Sequence, residues 1–249
     1  RDDQLGIQGH YGGLIEVDLA ADRKSLTIMD NGAGLPAKTA ATVLTRVGAS
    51  GKSYRKNAGF RGIGRLAGIV FSDTVTFTTK AKGESEQTTV VIKAKSMRAA
   101  MAPGKGSAKS AHDLMKESVE AFRSHSRRVN DHFFEVKLEG FTDPPKECLS
   151  FLEMYDFVSE VAPVSYPDDF PYRDELRRAA EKSGIPIEEV QITIKDGNDS
   201  PKPVTKRYGA SYEFESGTVT LSRCAIHYSP TERWWAWIGK KRESGAYTD

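Results

Sequence analysis

Two glycine clusters constrain this chain more than any other feature: Asp30-Asn31-Gly32-Ala33-Gly34, and Gly59-Phe60-Arg61-Gly62-Ile63-Gly64-Arg65. The first follows directly on Ser25–Met29, which reads as a strand, and the second runs into an apolar helix start ending at Val70. Glycines let a backbone adopt positive φ and approach a ligand closely. A glycine turn that opens a helix aims unpaired N–H groups and the positive end of the dipole at an anion. A carboxylate at a strand end, being an acceptor only, can read an exocyclic amine. The two clusters therefore describe a base-reading end and a phosphate-holding end of one nucleotide site.

Two look-alike motifs fail on spacing. Gly48-Ala49-Ser50-Gly51-Lys52-Ser53 has Arg46 where the phosphate loop Gly-x4-Gly-Lys-Ser/Thr needs its first glycine. The second cluster runs Gly-x-x-Gly-x-Gly, the reverse of the dinucleotide order, and lacks a βαβ unit around it.

Around the clusters the pattern is α+β without regular βαβ alternation. Strands are predicted at Gly13–Leu19, Ser25–Met29, Thr74–Lys80, Thr88–Ala94 and Phe133–Leu138. Residues 37–47 have weak helical character, 48–59 read as a mobile loop, and Ser96–Ser110 as a flexible stretch. Ala111, Leu114, Met115, Val119 and Phe122 fall on one stripe of an amphipathic helix. Asp143-Pro144-Pro145 breaks the pattern and marks a domain edge. Beyond it come helices at Glu147–Ser159 and Arg173–Ser183, the latter stopped by Gly184. Strands follow at Val190–Ile194, Val204–Phe214, Thr218–His227 and Arg233–Ile238.

Composition narrows the function classes. No apolar run among the 249 residues approaches the ~20 needed to span a membrane, so no membrane partner is expected. The two cysteines, Cys148 and Cys224, exclude a cysteine zinc cluster or a secreted disulfide scaffold. The five histidines show no short metal-ligand spacing and read as surface or satisfied core residues. A net charge of +2 does not favour nucleic acid as a partner.

Strand, DNGAG, loop and GFRGIG, in that order, resemble the GHKL ATPases. These comprise the ninety-kilodalton heat-shock chaperones, type II topoisomerase ATPase subunits, MutL-type mismatch repair proteins and sensor histidine kinases. The resemblance runs over Gly13–Leu138. It implies a Bergerat-type two-layer α/β sandwich, a mixed sheet with helices on one face, over residues 1–140. A second α+β domain of transducer or middle-domain kind, expected to be incomplete, would follow over 145–249. Phe60, lying between glycines, makes the heat-shock-chaperone-like branch the nearest in flavour, with a repair or topoisomerase branch second.

The resemblance also implies ATP with Mg2+ as cofactors, a cytoplasmic ATPase, and homodimer contacts through an ATP lid. Residue by residue, Asp30 matches the carboxylate that receives the adenine amino group, and Gly32 and Gly34 make room for the base. Ser50, Lys52 and Ser53 fall in the lid, and Gly59, Gly62, Ile63, Gly64 and Arg65 lie at the phosphate end. In this superfamily a helix carrying Glu-x-x-x-Asn activates water and binds magnesium. Residues 1–12 contain neither Glu nor Asn, so no catalytic residue is assigned, and that helix is expected to precede Arg1. A nucleotide-sensing module without turnover is the alternative.

Overall fold

The computed structural model describes residues 13–46, 64–102, 110–128, 131–170, 172–184, 189–207, 211–214, 217–229, 231 and 234–241. By contacts the chain divides into two units, 1–157 with 191–203, and 158–190 with 204–249.

The first unit is built on a mixed eight-stranded sheet. Its strands are β1 (Leu14–Leu19), β2 (Ser25–Asp30), β3 (Ser72–Lys80), β4 (Glu86–Ile92), β5 (Val119–His125), β6 (Phe133–Phe141), β7 (Gln191–Asp196) and β8 (Lys202–Pro203). The order across the sheet is β5-β4-β3-β6-β2-β1-β7-β8. All described pairings are antiparallel except β1 with β7, which run parallel.

Alternation puts Val17, Leu26, Leu138, Val75, Phe77, Val90 and Ile194 on one face, all buried except at its margins. The other face carries Glu16, Asp18, Lys137, Glu139 and Lys195, with ion pairs Lys137–Glu139 at 2.7 Å and Lys195–Asp18 at 3.2 Å. One face apolar and one wet is the pattern of a two-layer sandwich.

Helices cover the apolar face. They are α1 (Ala40–Thr45), a 3-10 helix at Gly64–Val70, α2 (Ala94–Met101) and α3 (Ala111–Ser118). Gly68 of the 3-10 helix packs so closely on this face that a Cβ there would sit 2.5 Å from Leu138 Cδ2. Buried Ala94 and Met97 of α2 pack toward β3. The resulting architecture is the α+β sandwich expected from the sequence.

Two local readings need correction, and the contact division places one boundary elsewhere. The stripe from Ala111 to Phe122 is not one helix. After α3, capped by Ser110 Oγ accepting from the Asp113 N–H at 3.2 Å, the chain extends into β5 and pairs with β4. The open edge of β4 satisfies the backbone of Val119–His125 in a way a further helical turn would not, and Phe122 stays 53% exposed. Ser96–Ser110 is not irregular throughout, because α2 occupies its first part; residues 103–109 lie outside the described residues. The expected cut between 140 and 145 also differs from the contact division. Helix α4 (Phe151–Val161) contains the boundary, and β7 and β8 return to the first sheet. Hydrophobic pairing is the reason: Ile192 and Ile194 align with Ile15 and Val17 and are buried.

The second unit contains α5 (Arg173–Ser183) and an antiparallel sheet of order β11-β10-β9, from β9 (Ser211–Phe214), β10 (Gly217–Ser229) and β11 (Trp234–Lys241). Helix α5 packs on β10 and stops at Gly184, whose φ of 68° takes the left-handed cap that glycine accepts without strain. Leu176, Ala180, Val164, Phe170 and Val204 are buried in this unit. Ser159 Oγ donates to the Thr205 carbonyl at 2.6 Å.

Candidate nucleotide site

Asp30 is the last residue of β2 and belongs to the apolar face of the sheet. Register makes this explicit: Ile15 pairs with Asp30, Asp30 with Phe134, Phe134 with Thr79, and Thr79 with Thr88. That row closes one end of the face. The next row inward is Val17, Ile28, Val136, Phe77 and Val90. Phe77 is fully buried, yet Ile28, beside Asp30 on the same strand, is 36% exposed. An apolar floor left open next to a carboxylate suits a flat ring with one polar edge.

The turn after Asp30 is held from all sides. Asp30 Oδ1 accepts the Gly32 N–H at 2.8 Å. Asn31 Oδ1 accepts the Leu14 N–H at 2.9 Å, which ties the turn to β1. His132 Nδ1 lies 2.8 Å from the Gly32 carbonyl oxygen. The Leu35 N–H donates to Thr79 Oγ1 at 2.9 Å, and that hydroxyl donates onward to the Phe133 carbonyl at 3.0 Å. The Ala37 N–H donates to Glu84 Oε2 at 2.8 Å.

Gly34 has φ of 66°, and a Cβ there would lie 2.6 Å from the Lys80 carbonyl carbon and closer still to its oxygen. Both the left-handed backbone and the contact demand glycine at this position. The loop lies against the main chain of β3 with no room for a side chain.

Lys80 itself is 1% exposed, and its Nζ donates to the Arg128 carbonyl at 2.7 Å and the Asp131 carbonyl at 2.8 Å. It pins the segment leading into β6, and with it His132. Arg128 also stacks over the Phe133 ring at 4.8 Å. Thr88, the next residue in the row, is equally buried, but its hydroxyl has no hydrogen-bond partner among the described residues.

Of the residues expected to bind ATP, Asp30, Gly32 and Gly34 come together in this turn. Gly64 and Arg65 open the 3-10 helix over the same sheet face. Gly68 in that helix touches Leu138, and Asp30 faces Phe134 four residues away along β6, roughly 13 Å at strand rise. Ser50, Lys52, Ser53, Gly59, Gly62 and Ile63 lie outside the described residues.

The 3-10 helix hangs from α2. Arg98 Nη1 donates to the Ile69 and Ser72 carbonyls and Nη2 sits 3.5 Å from Asp73 Oδ1, while Ser72 Oγ donates to the Gly68 carbonyl at 2.5 Å. Sequence reasoning singled out neither Arg98 nor Thr79, and it placed His132 only among surface or satisfied core histidines. Their partners are 25 to 100 residues away in sequence, so no local pattern marks them.

Residues 13–121 match the family Histidine kinase-, DNA gyrase B-, and HSP90-like ATPase. This stretch is similar to GHKL-type ATPase domains. No curated protein matches the chain. Domains of the GHKL type bind ATP, generally with Mg2+. Among the described residues no group of three or more His, Cys, Asp or Glu could hold a metal ion. Within the matched stretch, Asp30, Gly32 and Gly34 share one turn at the end of the apolar sheet face. Cys148 is buried, and burial pushes its thiol above the ordinary range, which leaves it unreactive. Among the described residues no helix is long and apolar enough to cross a membrane.

Proposed function

We propose that this protein is an ATP-binding and ATP-hydrolysing conformational machine, in which nucleotide binding closes a lid and changes the shape of the same chain or a partner. The observation that carries this reading is Asp30 at the end of the apolar sheet face, beside the partly open Ile28. The carboxylate would accept the adenine amino group, the Gly32 and Gly34 turn would leave room for the base, and Ile28 would lie under the ring.

In this reading Ser50, Lys52, Ser53 and the glycines 59, 62 and 64, with Ile63 and Arg65, form the lid and phosphate end. Magnesium would be held chiefly by the phosphates and by an asparagine outside the described residues. A homodimer closed through the lid and a chaperone-like role follow from the same resemblance, with Phe60 between glycines favouring that branch. The second unit, 158–190 with 204–249, would act as the coupling unit.

The test uses Asp30→Asn in the full natural chain. Asparagine keeps an oxygen for the Gly32 N–H, so the turn survives, but it can meet the adenine amine donor to donor. Loss of a charge-assisted bond with a donor left unpaired costs about 2–4 kcal/mol of binding. Calorimetry is expected to show ATP binding by the parent chain and little by the variant. Phosphate release by the parent separates a machine from a sensing module. Equal ATP affinity in both chains overturns the site.

A further inference from the structure

We propose that His132 is a positioning residue for base recognition: it holds the Gly32 carbonyl so that the Asp30 carboxylate stays aimed at the exocyclic amine of adenine. The inference rests on the nucleotide reading above and adds a specificity element to it.

A carbonyl oxygen only accepts hydrogen bonds, so the 2.8 Å contact assigns a proton to His132 Nδ1, in the neutral ring or in the imidazolium. Gly32 is thereby held on both flanks. Its N–H is bound by Asp30 Oδ1 at 2.8 Å and its C=O by His132. The first of these bonds involves the carboxylate that would read the base. Rotation of the Gly32 backbone would break both bonds and turn the carboxylate with it.

The histidine is itself braced. The carbonyl before it, of Asp131, accepts from Lys80 Nζ at 2.8 Å, and the carbonyl after it, of Phe133, accepts from Thr79 Oγ1 at 3.0 Å. Thr79 also accepts the Leu35 N–H from the far side of the same turn. A part-buried imidazole, fixed by strand ends on both sides and directed at the turn next to the reading carboxylate, is placed to govern selectivity for the base. It is not placed to touch the phosphates.

The experiment compares ATP with ITP, which differ at the exocyclic position Asp30 would read, on the full natural chain and on His132→Ala, His132→Asn and His132→Gln. An asparagine amide N–H lies close to the Nδ1 position, whereas glutamine extends toward Nε2. The parent chain is expected to prefer ATP. His132→Ala should lose about tenfold in ATP affinity, the worth of one ordinary hydrogen bond, with ITP affinity and the urea midpoint little changed. His132→Asn should recover most of the preference and His132→Gln should not.

An unchanged ATP-to-ITP ratio in His132→Ala overturns the inference, as does an equal loss for both nucleotides or a failure of His132→Asn to restore it. A parent chain that does not prefer ATP overturns the nucleotide reading itself, and the two failures are thereby told apart.

Discussion

The two ends of the candidate site are held in opposite ways. The Asp30 turn is fixed by backbone groups and short side chains of strands that are themselves locked in a sheet. Gly34 presses on the Lys80 main chain, Leu35 hangs on Thr79, and Gly32 is bound by Asp30 and His132. The 3-10 helix at the other end is suspended from one long arginine on α2, with Ser72 as its only other described tie of this kind. Short ties to a sheet leave a single geometry, whereas a long side chain with several rotatable bonds permits adjustment. The Asp30 turn is therefore the more tightly fixed of the two, and the 3-10 helix the one with more room to adjust.

The sharpest way to break this comparison is Gly34→Ala. The left-handed backbone costs a non-glycine residue about 1–2 kcal/mol, and overpacking against unyielding main chain adds about 1–3 more. Urea unfolding should show a loss of roughly 3 kcal/mol or greater. An alanine tolerated within 1 kcal/mol would mean that the turn is not held as described.

Next in size is Arg98→Met, which keeps the aliphatic stem and removes the guanidinium. Two carbonyls, of Ile69 and Ser72, lose a charged donor, at about 2–3 kcal/mol in total. Hydrogen exchange should accelerate over residues 64–72 and stay unchanged over 30–35. Equal acceleration at both ends would erase the distinction between rigid and suspended.

Two threonines in one row give a matched pair with opposite signs. Thr79→Val strips the Leu35 N–H of its acceptor and should cost about 1–2 kcal/mol. Thr88→Val replaces an orphan hydroxyl with a methyl group of similar shape and should raise stability by about 1 kcal/mol. Thermal melts of the two variants should move in opposite directions; movement in the same direction would contradict the hydrogen-bond assignment of the row.

How much of this was legible beforehand varies by element. The β1–β2 hairpin showed in the strands read at Gly13–Leu19 and Ser25–Met29, and the stop of α5 showed in Gly184, because each depends on residues close in sequence. Asp30, Gly32 and Gly34 could be placed in one turn because Asp-Asn-Gly directly after a strand is a strong turn sequence. The helix drawn through Phe122 failed because helical and strand spacings coincide over so short a stretch, and the free edge of β4 decided between them.

The sequence by itself determined the α+β character, the strand pattern of the first sheet, the position of the Asp30 turn and the stop of α5 at Gly184, since those follow from the local chemistry of glycine and apolar spacing. Only the tertiary structure decided that β7 would pair in parallel with β1, that Thr79 and His132 would flank a turn 44 and 100 residues away, and that Arg98 would hold the end of the 3-10 helix at Ile69 and Ser72. Strand register and side-chain reach are settled when a whole sheet buries its apolar face at once, and no short window of sequence contains that condition.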